Sequence, residues 1–258
     1  VWPVRLGPGR DRRDLAGRFG VDRIDPVVDE AAAESDDHDH AASGLPPDWN
    51  VAPTKTVYAV LRAAPDGRSR RPPAAPAPAG AVGLVPSWAP SPKVTASMIN
   101  ARVETVATKP AYRRALAARR CLLPADGYYE WSAGPAGART PYFIAPRDGG
   151  VLAVAGLYEL WRDPDRSRAD PAAWLWSAVV ITTRATGELS RLHDRMPVVV
   201  EPGHYAAWLD PHRTDPVAAL ARLSPPPPGR PMFHPVSRAV GNVAHNGPQL
   251  AEPVPAVG

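Results

Sequence analysis

Cysteine is almost missing from this 258-residue chain: Cys121 is the only one. No internal disulfide can form, and no paired-cysteine zinc spacing exists. No apolar run reaches the length that spans a bilayer, and the opening stretch Val1-Trp-Pro-Val-Arg-Leu-Gly-Pro-Gly-Arg10 lacks the continuous apolar core of a secretory peptide. A cytoplasmic protein without a membrane partner is the expectation. A glycine-rich phosphate loop, a zinc signature and a serine nucleophile elbow are also lacking, which removes weight from nucleotide hydrolases, zinc enzymes and α/β-hydrolases. Neither a cofactor nor a metal is expected. Strong charge of one sign is lacking too. The net charge of +4 and pI near 9.4 favour association with phosphate, yet are mild for holding duplex DNA by charge alone. Arginine far outnumbers lysine, which suits bidentate phosphate contacts, although a GC-rich genome gives the same bias.

What is present is mostly β. Residues 56–62, 81–85, 121–131, 142–145, 151–161, 174–183 and 197–200 have strand length and strand composition. Short helices are expected over 110–119, with Pro110 in the first turn, over 203–209 and over 216–223. Such mixing without regular alternation predicts an α+β fold in a single domain over 16–251. Residues 1–15 read as an extension, either a propeptide or a misassigned start, and 252–258 as a tail. Two stretches read as loops: the acidic, alanine-rich 22–48 and the Pro/Ala/Arg-rich 65–80. Residues 225–228 read as a stiff polyproline connector before a last strand. The cluster Asp36-Asp-His-Asp-His40 is read as solvated loop, not as a metal site.

The segment Arg120-Cys-Leu-Leu-Pro-Ala-Asp-Gly-Tyr-Tyr-Glu-Trp131 ends an apolar strand on one carboxylate set among aromatic rings. Partial desolvation by Tyr128, Tyr129 and Trp131 would raise the pKa of Glu130 and fit it for general acid and base work. A structural salt bridge to an arginine is the competing reading. Cys121, beside Leu122 and Leu123, reads as a small core hydrophobe.

That segment stands in order with Gly17-Arg-Phe19, Asn50-Val-Ala-Pro-Thr54, Gly83-Leu-Val-Pro-Ser-Trp88, Met98-Ile-Asn-Ala-Arg-Val-Glu-Thr105, Leu192-His-Asp-Arg-Met-Pro197 and Asn246-Gly-Pro248. The set resembles the SRAP family, the SOS-response-associated peptidases, from about Leu15 to Leu250. The resemblance implies a compact, largely antiparallel, barrel-like sheet with a DNA-binding groove. It implies a partner as well, single-stranded DNA carrying abasic sites, bound by a monomer. In the family an amino-terminal cysteine joins the opened sugar aldehyde as a stable thiazolidine. Its Met-Cys-Gly-Arg reads Leu15-Ala16-Gly17-Arg18 here, so Ala16 stands at the nucleophile's position and can supply at most an amine, after cleavage. A stable crosslink is then not expected, whereas a reversible Schiff base with lyase activity is.

The resemblance gives the other residues their roles. Asn100 would orient the opened sugar, and Glu130 and His193 would move protons. Arg18, Arg102 and Arg195 would contact phosphates, with Asp194 or Glu130 as the competing partner for Arg195. Trp88 would stack on a base or sit in the core. Glu104, on one face of a regular strand with Asn100 and Arg102, is expected to pair with Arg102. The alternative function is a pseudoenzyme that binds gapped or abasic single-stranded DNA without reacting.

Overall fold

A computed structural model describes residues 4–6, 12–19, 24–27, 45–53, 55–62, 81–93, 98–134, 137–223 and 231–255. In chain order the strands are β1 (Val4–Leu6), β2 (Ile24–Val27), β3 (Asp48–Val51), β4 (Val57–Val60), β5 (Ala81–Val82), β6 (Asn100–Arg102), β7 (Arg120–Ala125), β8 (Gly127–Ala133), β9 (Arg139–Pro146), β10 (Leu152–Arg162), β11 (Trp174–Arg184), β12 (Arg195–Pro197) and β13 (Pro231–Pro235). The helices are α1 (Arg12–Phe19), α2 (Pro110–Ala118), α3 (Tyr205–Leu209) and α4 (Pro216–Leu220).

The strands form two sheets. One has five strands in the order β13-β9-β8-β1-β3, and the other runs β12-β11-β10-β7-β4-β2, with β5 and β6 added along β11. All pairings are antiparallel except those of β5 and β6 with β11. The mixed, mainly antiparallel α+β class agrees with the expectation, but among the described residues both sheets are open paths and not a closed barrel.

The apolar run 121–131, read as one strand, is two. It breaks at Asp126, sending β7 into the larger sheet and β8 into the smaller. Gly127 makes the corner possible: a Cβ there would lie 2.4 Å from Cζ of Phe143 and 2.5 Å from the carbonyl oxygen of Ile144, so no side chain fits. Glu130 thereby leaves the larger sheet and stands at the seam between the two.

One face of the larger sheet carries Leu122, Leu157, Val179 and Ile181 against Leu15 and Phe19 of α1, Leu116 of α2 and Trp208 of α3. Burial of each such side chain contributes about 1.5–3 kcal/mol. Arg120 fastens this layer. Its buried guanidinium donates to the carbonyls of Leu116, Ala117 and Trp208 at 2.6–2.9 Å and lies 5.7 Å from the Trp208 ring. The short helices carry their start signals: Pro110 opens α2, and Asp215 caps α4 by accepting from the N–H groups of Val217 and Ala218.

Two of the expected segments contain strands. Within the expected extension 1–15, β1 pairs with both β3 and β8, and Leu15 is fully buried in the core. The supposed loop 22–48 contains β2, paired to β4 from Ile24 opposite Val60 to Val27 opposite Val57. Residues 28–44, 63–80 and 224–230 lie outside the described residues, and with them most of that loop, the Pro/Ala/Arg-rich stretch and the polyproline connector. Among the described residues no helix is long and apolar enough to cross a membrane.

Candidate active site

Strand β11 organises the site. Its partner along one edge is β10 and then β12, with Thr182 opposite Pro197 and Arg184 opposite Arg195. Along the other edge lie β5 and β6, with Val180 opposite Asn100 and Thr182 opposite Arg102. Asn100 and Arg102 are exposed while Ala101 between them is buried, as strand alternation requires. Arg195 crosses the end of β11. Its guanidinium grips Glu104 with both terminal nitrogens, at 2.7 and 3.0 Å, and donates to the carbonyl and hydroxyl oxygens of Thr182 at 2.7 and 3.3 Å. Glu104 therefore pairs with Arg195 and not with Arg102, and Arg195 takes neither Asp194 nor Glu130. Its hydrogen bond to Arg195 holds the Glu104 carboxyl below the usual carboxylate range.

The smaller sheet supplies Glu130, which is 6% exposed on β8. Its Oε2 lies 3.9 Å from Nδ1 of His193, in the turn leading into β12, so this contact bridges the two sheets. His193 Nδ1 accepts the main-chain N–H of Arg195 at 3.0 Å. That contact suits a neutral ring with its proton on Nε2, while the oxygens around the same nitrogen suit a proton on Nδ1. Oxygens surround the same nitrogen: Asp194 Oδ1 at 3.2 Å, the Arg195 carbonyl at 3.3 Å, and Glu130. Three acceptor oxygens and one N–H donor thus converge on Nδ1. The arrangement can take up a proton at the imidazole and neutralise the resulting charge with a buried carboxylate. An apolar cavity of about 70 Å³ beside it is lined by Tyr128, Leu189, Met196 and Tyr205, and takes in neither Glu130 nor His193.

Trp88 is 61% exposed, so it is not a core tryptophan. A tight turn closed by Ala89 N–H on the Pro86 carbonyl at 2.8 Å presents it, next to a segment tied to β11 through Gly83 and the Ala178 carbonyl. Arg18 is exposed in the last turn of α1. Ala16 lies inside α1, directly after Leu15. The structure thus brings Glu130, His193 and Arg195 together, places Asn100 and Arg102 across β11 from Arg195, and sets Ala16 within a helix.

Cys121 is fully buried on β7, and desolvation pushes its thiol far up, as a core cysteine requires. Among the described residues no group of three or more His, Cys, Asp or Glu could hold a metal ion.

Sequence reasoning gave Asn50 no role. Fully buried on β3, its amide donates to the carbonyls of Val240, Asn242 and His245 at 3.0–3.2 Å, while Asn246 Oδ1 accepts from Trp49 N–H at 2.9 Å. The Asn50 and Asn246 motifs are two sides of one joint that pins the 238–246 loop to β3. Tyr129, next to Glu130 but facing the other way, donates its hydroxyl to the Trp49 carbonyl at 2.9 Å. Only their occurrence among the ordered motifs signalled this.

The profile of the family described as SOS response associated peptidase (SRAP) matches residues 15–243. The chain belongs to the SRAP family. It is 34% identical over 208 residues to the abasic site processing protein YoqW of Bacillus subtilis, covering 80% of this chain and 86% of that one. It is 32% identical over 241 residues to YoaM of the same organism, also an abasic site processing protein, covering 92% and 98%. A crystal structure of a protein from Bacteroides thetaiotaomicron shares the SRAP-like fold, with a TM-score of 0.60 at 23% identity over 69% of this chain and 76% of the other. In the SRAP chain described here, β1 precedes the matched span and is nevertheless part of the smaller sheet.

Proposed function

We propose that this SRAP chain processes abasic sites in single-stranded DNA through a transient Schiff base and not through a lasting crosslink. The observation that carries the reading is the buried Glu130 carboxylate facing the His193 imidazole across the seam of two sheets. An amine attacks the aldehyde carbon of the ring-opened sugar, water leaves, and an imine forms. Removal of a C2′ proton then expels the 3′ phosphate by β-elimination. Glu130 and His193 take and return these protons. Asn100 meets the sugar hydroxyls, Arg102 and Arg18 the flanking phosphates, and Trp88 a neighbouring base. Arg195 serves through its grip on Glu104 and Thr182 and reaches a phosphate only by loosening it. Cys121 is buried in a sheet, so the reading gives it no part in a thiazolidine.

The sequence match puts the amine at Ala16, which needs cleavage of its bond to Leu15 inside a helix whose packing Leu15 anchors. The test is incubation of the full chain with an abasic single-stranded oligonucleotide under borohydride, followed by intact-mass analysis and peptide mapping. A trapped adduct supports the reading, and peptide mapping shows whether Ala16 carries it. Binding without any adduct points to a non-reacting DNA-binding protein, and neither binding nor adduct removes the reading.

A further inference from the structure

We propose that Glu104 is a positioning residue that acts through Arg195 to set the tautomer and orientation of the His193 imidazole. The inference rests on the reading of His193 as the proton-transfer group. The chain of contacts is short. Glu104 receives both terminal nitrogens of Arg195, at 2.7 and 3.0 Å, and the same guanidinium holds two oxygens of Thr182. The main chain of Arg195 in turn supplies the N–H that His193 Nδ1 accepts at 3.0 Å. Removing the clamp frees the residue whose N–H and carbonyl both meet His193 Nδ1, at 3.0 and 3.3 Å, and whose placement decides which of the two contacts is made.

The location makes the clamp necessary. β12 has three residues, and Arg195 is its first, paired with Arg184 at the far end of β11. Strand ends fray, and a pair this close to a turn is held by little main-chain bonding of its own. The Arg195 side chain ties that end to β11 through Thr182 and to the turn after β6 through Glu104, so two strands and a turn are joined at one guanidinium. A solvated surface ion pair would have single-point geometry and contribute little. This one is bidentate, with the Arg195 side chain 15% exposed and that of Glu104 43% exposed, and Arg195 is held further by Thr182.

Nitrogen NMR of the full, uniformly labelled chain reads the imidazoles directly, with His193 assigned by the signal lost in His193→Gln. The expected starting state in the unsubstituted protein, with the Arg195 N–H contact made, is a neutral His193 ring protonated on Nε2. Glu104→Gln and Arg195→Lys should each move His193 toward a mixture with the Nδ1-protonated form, and the double variant should move it no further than either alone. His234 and His245 provide internal witnesses. His234 Nε2 and His245 Nδ1 each lie 2.9 Å from a carbonyl oxygen away from the clamp, that of Ala251 and that of Ala239, so both should keep their tautomers. Unchanged His193 signals in Glu104→Gln overturn the inference, as does a change shared equally by all three rings, which reports general loosening.

Borohydride trapping on abasic single-stranded DNA separates this from the functional reading. The rate of adduct formation in Glu104→Gln should fall about tenfold or more if His193 moves protons in the reaction. A shifted tautomer with an unchanged rate leaves the positioning role standing and removes His193 from the chemistry.

Discussion

Glu130 on β8 and Glu159 on β10 are 6% and 5% exposed, each follows a tyrosine, and each turns Oε1 onto the N–H of the next residue at 3.1 Å. They part at the other oxygen. Glu159 Oε2 meets the guanidinium of Arg119 at 2.8 Å, whereas Glu130 Oε2 faces the imidazole of His193 at 3.9 Å. Arginine stays charged at every pH a folded protein meets, so Glu159 is neutralised permanently and its role is to hold β10 to the end of α2. Glu130 thus has an imidazole where Glu159 has a guanidinium. Strand, burial and preceding tyrosine are alike in the two places. Under the proposed function, the partner brought in from a distant part of the chain separates a structural carboxylate from one that moves protons.

The sharpest way to break the comparison is to convert each carboxylate to its amide. Glu130→Gln should lower the rate of borohydride-trapped adduct formation by about a hundredfold or more while the melting temperature stays near that of the parent. Glu159→Gln should do the reverse. It leaves Arg119 with a neutral partner in a mostly buried place, and denaturant unfolding should show a loss of about 2 kcal/mol with the adduct rate preserved. If both variants lose activity in proportion to stability, the distinction between the two glutamates fails.

Trp88→Ala sharpens it from the side of the substrate. The ring is exposed, so its loss should weaken binding to an abasic single-stranded oligonucleotide about tenfold, measured by fluorescence anisotropy, with no change in unfolding midpoint. The smallest effect concerns the clamp beside His193. The Glu104 carboxyl is held below its ordinary value by Arg195, with Arg184 adding to the effect. Its stabilisation is fully present above the unfolded-state pKa and disappears as pH falls through the lower folded value. The difference in melting temperature between the parent and Glu104→Gln should therefore be constant at neutral pH and close only on acidification below the usual glutamate range.

The strands that bury both faces were the most legible in the sequence. β10 and β11 are expected at 151–161 and 174–183 and found at Leu152–Arg162 and Trp174–Arg184, because long β-branched and aromatic runs leave few alternatives. β1, β2 and β3 were not read as strands: each is only three or four residues long and lies among prolines and charges, so pairing partners far along the chain define them. The break at Asp126 was hidden for a related reason. An apolar run carries no mark of which sheet it joins, and the tight approach of Phe143 to Gly127 exists only once β9 is in place. At the site, Glu130, His193 and Arg195 stood out by residue type and motif. The grip of Arg195 on Glu104 did not, since 91 residues separate them and strand alternation offered Arg102 as the nearer partner.

The position of β1 bears on what trimming would do to the molecule. Among the described residues β1 lies between β8 and β3, and β3 has no other strand neighbour in the smaller sheet. Removing everything before Ala16 would leave β8 and β3 each with a bare row of main-chain donors and acceptors. Such rows recruit strands from other chains. A proteolytic product starting at Ala16 would be self-associating, and its maturation would be coupled to aggregation or to capture of a replacement strand in trans.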